Sequence, residues 1–403
     1  MLNGKGFILA VNAGSTSLKV EVFDSVAKSL ASVNVEGIGK DGARLVLKGV
    51  NGVMENDMMC ESHTTAFAAI VEELIGPRKL IASAADVVAV GHRVVHGGTR
   101  FTESVVLTDA IIGEVDALSD LAPLHNPPGI ACIRAALNMC PDAKNVAVFD
   151  TAFHSTIPPY VRSYGLPPMK LNDGLDVRKF GFHGISHKYV SLKASDALGR
   201  SVGGLKIVSL HLGGGSSACA IKHGTSRNTS MGMTPSDGLL MSTRSGTVDP
   251  GIIIGLLRDG MSVDELDTLI NKKSGLLGVS GISGDMREIE KAMAQGSPRA
   301  TRAFQMFCGR IREYVGRYMA MMGGLDAVVF TGGIGQGSSG VRSITLRDLD
   351  CFGIQLDEDK NHTARFDDLT IISASNSRVK VLIVPAHECA MIALETLHCI
   401  GER

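Results

Sequence analysis

A strand–turn–strand unit that occurs twice, half a chain apart, constrains this sequence more than any other feature. Phe7-Ile8-Leu9-Ala10-Val11 runs into the small polar turn Asn12-Ala13-Gly14-Ser15-Thr16-Ser17-Leu18-Lys19, and Val20-Glu21-Val22-Phe23 follows. Lys206-Ile207-Val208-Ser209-Leu210 runs into His211-Leu212-Gly213-Gly214-Gly215-Ser216-Ser217, and Ala218-Cys219-Ala220-Ile221 follows. Each reads as a β-hairpin around a glycine-containing turn. Asn12 aligns with His211 and Gly14 with Gly213, so the pair is either a chance likeness or one supersecondary unit duplicated into two similar domains facing each other.

Other strands end in chemistry. Asn145 to Phe149 stops at Asp150, Ala327 to Phe330 stops at Thr331-Gly332-Gly333-Ile334-Gly335, and Val381 to Val384 stops at Pro385 and Glu388. Helical spacing of apolar residues predicts helices over Val263 to Asn271, Met286 to Ala294 and Pro298 to Met322. Strands alternating with helices argue an α/β fold. The domain boundary is expected near Asp150, with the C-terminal helix returning to the first domain. That gives 1–150 plus 385–403 as one lobe and 151–384 as the other.

The composition removes several function classes. Forty Lys and Arg against forty-one Asp and Glu leave a formal charge of −1, which disfavours a nucleic-acid binder. Hydrophobic residues at 44% and charged residues at 20% fit a chain with a large core. Apolar runs such as Phe7 to Val11 fall far short of the roughly 20 residues that span a bilayer. The N-terminal run leads into a glycine turn and not a cleavage site, so no signal peptide is expected. The eight cysteines include no C-x-x-C pair, which suits a reducing cytoplasm and no zinc ribbon.

Glycine lets backbone approach a ligand closely, and the 47 glycines cluster. The turns at Asn12 to Lys19, Gly213 to Ser217 and Gly332 to Gly335 each follow an apolar strand, and such turns can cradle phosphate oxygens. None has the Walker A spacing. His92 and His96 flank Arg93, and His183 and His187 have the same four-residue spacing. On a helix such pairs could bind a metal, but the bracketing glycines argue against a helix at either pair. An anion-binding arginine beside a neutral histidine fits better. Asp150 at a strand end is either a ligand-facing carboxylate or a helix N-cap. Arg244, in Met241-Ser242-Thr243-Arg244-Ser245-Gly246, is either a site residue or a surface arginine. Taken together, these residues point to a nucleotide-dependent phosphotransferase, whose catalysis is mostly positioning and charge neutralisation.

Several motifs carry a resemblance that spans essentially the whole chain. They are Val11-Asn12-Ala13-Gly14-Ser15, Gly91-His92-Arg93-Val94-Val95-His96-Gly97-Gly98, Leu121-Ala122-Pro123-Leu124-His125-Asn126-Pro127 and Val148-Phe149-Asp150-Thr151-Ala152-Phe153-His154. Further on come Gly181-Phe182-His183-Gly184, Thr229-Ser230-Met231-Gly232, Thr243-Arg244-Ser245-Gly246, Phe330-Thr331-Gly332-Gly333-Ile334-Gly335 and Val384-Pro385-Ala386-His387-Glu388. With these the sequence resembles the acetokinase family of the sugar kinase–heat-shock–actin superfamily. The resemblance implies a homodimer of two actin-like (ribonuclease H-like) lobes with mixed sheets flanked by helices, the cleft between them holding ATP and acetate.

The resemblance also implies residue roles. Asn12 and Glu388 would hold Mg²⁺, or Mn²⁺ in its place. Lys19 would approach the ATP phosphates, and Arg93 and Arg244 would grip acetate and the phosphoryl group. His183 would stabilise the equatorial oxygens, His125 would line the site, and Asp150 would orient the attacking group. Val95, Leu124, Phe182 and Pro235 would surround the substrate methyl, with Val95 favouring acetate over propionate. The nucleotide would lie against His211, Leu212, Gly213, Gly214 and Gly215, the Asp285-Met286-Arg287 segment, and Gly333, Ile334, Gly335, Gln336 and Gly337. Five positions depart from the family's usual residues: Gly214 (commonly Asn), Gln336-Gly337 (Glu-Asn), His387 (Asn) and Cys389 (Glu). A propionate kinase, a pyrophosphate-using acetate kinase and an actin-like ATP-binding regulator are the rival readings.

Overall fold

The computed structural model describes residues 6–40, 42–49, 52–76, 79–119, 126–171 and 174–401. It divides into two compact units. One comprises Met1–Phe153, Lys170–Asp176 and His387–Arg403; the other comprises His154–Met169 and Val177–Ala386.

The first unit is built on an eight-stranded sheet. Its strands are β1 (Phe7–Ala13), β2 (Ser17–Phe23), β3 (Ser29–Glu36), β4 (Ala43–Gly49), β5 (Gly52–Met58), β6 (Val87–Val94), β7 (Val105–Val106) and β8 (Lys144–Phe149), in the order β5-β4-β3-β2-β1-β6-β8-β7. The glycine turn closes β1 onto β2 as an antiparallel hairpin that pairs Asn12 with Lys19. Parallel pairing then carries the sheet from β1 to β6 and from β6 to β8. Parallel strands are covered on both faces and read as near-continuous apolar runs, as β1 and β8 do.

Side chains alternate across a strand, which sorts the residues of β1. Leu9, Val11 and Ala13 face a core shared with Phe67, Ile70, Cys132 and Ala136 of the helices His63–Leu74 and Asn126–Met139. Ala10 and Asn12 point to the other face, where Ala10 pairs with Gly91 and the C-terminal helix Glu388–Cys399 lies. Gly91 is what admits that helix. A Cβ there would strike Thr396 Oγ1 and lie 2.8 Å from Ile392 Cγ2.

After a short antiparallel pair, β9 (Lys170–Leu171) with β10 (Leu175–Asp176), the second unit repeats the scheme. Its sheet contains β11 (Lys206–Leu212), β12 (Ser216–Lys222), β13 (Thr225–Thr229), β14 (Ala327–Thr331), β15 (Thr370–Ile371) and β16 (Lys380–Ile383), in the order β13-β12-β11-β14-β16-β15. Three antiparallel strands followed by two parallel ones, β13-β12-β11-β14-β16, reproduce β3-β2-β1-β6-β8 strand for strand. The duplicated hairpin is therefore part of a duplicated five-stranded sheet.

The helix Pro298–Met322 buries Phe304, Phe307, Ile311, Val315 and Tyr318 against this sheet. It is bounded by a Ser297 N-cap, Pro298 in the first turn and Gly323 at φ 68°, which are ordinary start and stop signals. The helices Val263–Lys272 and Met286–Ala294 also form where the periodicity places them. At the end of β14, Gly332 has φ 78°, and a Cβ would sit 2.6 Å from the Leu212 carbonyl oxygen. Only glycine lets these two turns come together. Among the described residues no helix is long and apolar enough to cross a membrane.

Two glycine-to-alanine substitutions should move stability in opposite directions. Gly91→Ala overpacks the contact between β6 and the C-terminal helix and should cost about 1–3 kcal/mol. Gly309→Ala lies inside the helix Pro298–Met322 with nothing near the added methyl and should stabilise by up to about 1 kcal/mol. Urea unfolding of both variants measures this. Equal effects would show that the helix is not seated through Gly91.

Candidate functional site

Strand register assembles the first group of polar side chains. Asn12 lies two residues beyond Ala10 on β1, Arg93 two beyond Gly91 on β6, and Asp150 two beyond Val148, the β8 partner of Arg93. Period-two alternation thus puts all three on the face covered by the helix that begins at Glu388. They meet in a chain. Arg93 Nε and Nη2 donate to Asp150 Oδ2 at 3.0 and 2.6 Å, and Arg93 Nη1 donates to Asn12 Oδ1 at 2.9 Å. Asn12 Nδ2 donates to Glu388 Oε2 at 3.0 Å. Only 17% of the Arg93 side chain and 2% of the Asp150 side chain are exposed. Burial opposes the guanidinium charge, but Asp150 and then Glu388 outweigh it and hold the Arg93 pKa above its ordinary value.

Lys19, paired with Asn12 across the hairpin, reaches Glu21 at 3.3 Å. Glu21 is buried and also accepts from Ser29 Oγ at 2.6 Å and His387 Nε2 at 2.7 Å. Burial raises its pKa, and the bonds from His387 and Ser29 together with the Lys19 charge bring it below the usual value. The Cys389 thiol is pushed up to about 12 by burial, so it stays protonated and Glu388 is the carboxylate at the start of the helix. Asn12 meets Glu388 through its amide nitrogen and turns its amide oxygen to Arg93, so the pair brings a carboxylate and an amide oxygen to one place, the latter already accepting from the guanidinium. Hard oxygen donors of this kind fit a small divalent cation that takes its remaining ligands from water and phosphate.

Val95 is buried just past β6. Leu124 and His125 lie outside the described residues. His92 is on a strand. It donates from Nε2 to Asn145 Oδ1 at 2.8 Å, while its Nδ1 is buried with no partner among the described residues. Among those residues no cluster of three or more His, Cys, Asp or Glu could hold a metal.

In the second unit the glycine bracket misleads. Gly184 opens the helix Gly184–Leu198 and His187 lies inside it, while His183 is its N-cap residue at φ 57°. The sequence expectation that no helix forms there is corrected. Glycine breaks helix interiors but is tolerated in the first turn, where the backbone N–H groups have no intrahelical partner anyway. This helix delivers an imidazole network. Ser217 Oγ bridges His183 Nδ1 at 2.9 Å and His187 Nε2 at 2.8 Å, and His187 Nδ1 meets Ser209 Oγ at 2.9 Å. His211 is held by Ser186 at 2.8 Å and stacks on His183 with ring centroids 4.2 Å apart. Burial, then His154 and His211, keep His187 well below its ordinary pKa.

Arg244 lies beside this network. A Cβ on Gly215 would sit 3.5 Å from both Arg244 Nη1 and His183 Cε1, so both side chains border this glycine. Arg244 Nη1 donates to the Pro235 carbonyl at 3.3 Å. Burial alone lowers the Arg244 pKa, with no carboxylate among the described residues offsetting it. Phe182 is buried, and its carbonyl accepts from His154 Nε2 at 2.9 Å.

The same unit contains a cavity of about 680 Å³ lined by Gly213, Gly214, Asp285, Met286, Arg287, Gly333, Ile334 and Gly337. Asp285 pairs with Arg287 at 2.5 Å at its edge. His211, Gly215, Gly335 and Gln336 do not line it, and Leu212 is a core residue. Sequence reasoning missed Ser242, Gly284, Glu290, Ser338 and Phe366, which do line it. Gly284 and Ser338 adjoin recognised motifs and could have been found by extending them. No pattern marks Phe366.

Duplicated α/β sheets with glycine turns, an arginine ion-paired to a carboxylate in one unit, and in the other a glycine-walled cavity and an arginine with no carboxylate partner among the described residues suit a phosphotransferase. Comparison with known proteins narrows this. The acetokinase family profile matches residues 7–394. An acetate kinase of Caldicellulosiruptor saccharolyticus is 43% identical over 394 residues, 96% of this chain and 98% of that one. An acetate kinase of Carboxydothermus hydrogenoformans is 42% identical over 398 residues, 98% and 99% of the two chains. The crystal structure of Porphyromonas gingivalis acetate kinase superposes with a TM-score of 0.89 at 40% identity, covering 98% of this chain and all of the other. A propionate kinase from Francisella tularensis superposes at 0.87 with 36% identity, covering 98% and 99%. The chain belongs to the acetokinase family.

The buried histidines set an acid limit. Burial holds His92 down to about 4, below the ordinary 6.5 of an unfolded chain. Between those values the unfolded state binds more protons, so stability rises with pH through that window, by up to about 1.4 kcal/mol per pH unit for this residue. Urea unfolding at pH 4.5, 5.5 and 7 should show this slope in the parent and a shallower one in His92→Gln. Equal slopes would contradict the assignment.

Proposed function

We propose that this protein is an acetate kinase, which transfers the γ-phosphoryl group of ATP to acetate, reversibly and in line, giving acetyl phosphate and ADP. Membership of the family implies ATP as co-substrate and a divalent metal; the finer reading is Mg²⁺, with Mn²⁺ able to replace it, at Asn12 and Glu388. When bound, the metal supplies positive charge to the donor phosphates. The observation that carries the reading is Arg244, a half-buried guanidinium near His183 with no compensating carboxylate among the described residues. Such a group favours a bound anion.

The residues have distinct tasks in this reading. Arg93, fixed by Asp150 and Asn12, presents a planar donor fork to a carboxylate. Acetate is already ionised at neutral pH, so Asp150 orients Arg93 and is not needed as a base. Arg244 and the His183 imidazole donate to the phosphoryl oxygens as charge shifts among them. Lys19 approaches the phosphates. The glycine turns at Gly213 and Gly333 let ATP lie close to backbone. Val95, buried after β6, is the apolar side chain of the first unit that we assign to the acceptor's methyl group. We assign acceptor binding to the first unit and the nucleotide to the second. The reading includes a homodimer and a cytoplasmic setting, where eight free cysteines are at home.

The propionate kinase likeness makes acid size worth measuring with the reaction itself. Acyl phosphate should be trapped by hydroxylamine from acetate, ATP and Mg²⁺. Propionate should work more slowly, by roughly 10–200-fold in kcat/KM for one methylene. Arg244→Ala should lower kcat by roughly 10²–10³-fold, and Arg244→Lys should restore only part, since an ammonium lacks the fork. Preference for propionate would favour the second reading. Near-parental turnover in Arg244→Ala would sink the anion-site assignment.

A further inference from the structure

One wall of the second unit's cavity belongs to no motif. Phe366, in the loop after the short helix Glu358–Thr363, lines the cavity with 49% of its surface exposed. Its position is nonetheless fixed. The buried Gln336 donates from Nε2 to the Phe366 carbonyl at 3.0 Å, and its Oε1 accepts from the Ala386 N–H at 3.0 Å. An amide can do both; an ionised carboxylate could accept from Ala386 but would confront the Phe366 carbonyl oxygen with no proton to give. The ring's Cδ2 and Cε2 lie 3.7 Å from the point where a Cβ on Gly337 would sit. The ring therefore packs beside Gly337, at a distance where a methyl group would make ordinary contact.

The support beneath is rigid. Arg342, buried, donates from Nη1 to the carbonyls of Gly335 and Gln336, both at 2.8 Å. Its Nε and Nη2 bind the Asn361 side chain and carbonyl at 2.7 and 3.0 Å. Gln336 and Gly337 are the two adjacent departures from the usual acetokinase residues; Gln336 bonds the Phe366 backbone and Gly337 lies beside its ring.

We propose that Phe366 is the stacking wall for the purine base of the nucleotide, seated by Gln336 and Gly337. The inference rests on the nucleotide reading of this cavity and adds to it the residue that receives the base. Met286 and Ile334 supply further apolar lining suited to a planar heterocycle. Every base has a π face, so a ring wall strengthens binding of any purine nucleotide without reading its exocyclic groups.

Steady-state kinetics on the full chain with ATP and with GTP tests this. Phe366→Ala should raise the KM for each nucleotide by about 10–100-fold, the range for loss of one base–aromatic stack, while kcat and the KM for acetate stay near parental. Phe366→Tyr should restore the nucleotide KM. Gln336→Glu, which removes the donor to the Phe366 carbonyl, should raise it as well. An unchanged ATP KM in Phe366→Ala, or a fall in kcat together with a higher acetate KM, would overturn the proposal. A parent that turns over with pyrophosphate but not with ATP would overturn the nucleotide reading itself and the proposal with it, and that failure is visible before any variant is made.

Discussion

Arg93 brings a permanent positive charge to the carboxyl end of the first sheet with 17% of its side chain exposed. A charge so placed is tolerated only if paired and hydrogen-bonded, and removing one partner of such a pair typically costs about 3–5 kcal/mol. Asp150 supplies the countercharge and Asn12 a further acceptor, and Asn12 passes the chain on to Glu388. Three neighbouring strands and the C-terminal helix are thereby tied through one side chain. Gly91, two residues earlier on the same strand, lets that helix lie close enough for Glu388 to join.

Arg244 is the electrostatic opposite. Carboxylates raise the Arg93 pKa, whereas burial alone lowers that of Arg244. The first arginine is satisfied by the protein and so is rigid. The second has no carboxylate partner among the described residues, and it lies beside an imidazole whose Nδ1 is taken by Ser217. In the proposed reading phosphoryl transfer uses both conditions, since it depends on donors held in place before charge moves.

Much of the fold was legible because its signals are local. Apolar strands ending in glycine turns marked both hairpins, and the 3.6-residue stripe with its Ser297 and Gly323 ends marked the helix Pro298–Met322. The meeting of Asn12, Arg93 and Asp150 was not legible from spacing, because it depends on pairing register between strands 57 positions apart in the case of Arg93 and Asp150. The family resemblance supplied those residues before geometry could. His187 was misjudged because glycine was read as a breaker where it opens a helix. Gln336 was expected against the nucleotide, but its buried amide is occupied by Phe366 and Ala386. Phe366 had no signal at all: its position comes from a loop bonded to Gln336, a residue 30 positions earlier.

In the proposed reading Asp150 acts by holding Arg93 and not by accepting a proton from the attacking group. The most direct test is the pH dependence of kcat/KM for acetate in Asp150→Asn, which keeps the shape of the side chain and removes its charge. An orienting role predicts a higher acetate KM, a drop in kcat/KM of roughly 10–100-fold for a loosened donor fork, and an acidic limb in the same place as in the parent. A variant that loses the acidic limb along with nearly all turnover would show that Asp150 is a base. A variant with parental kinetics would show that Arg93 does not depend on it.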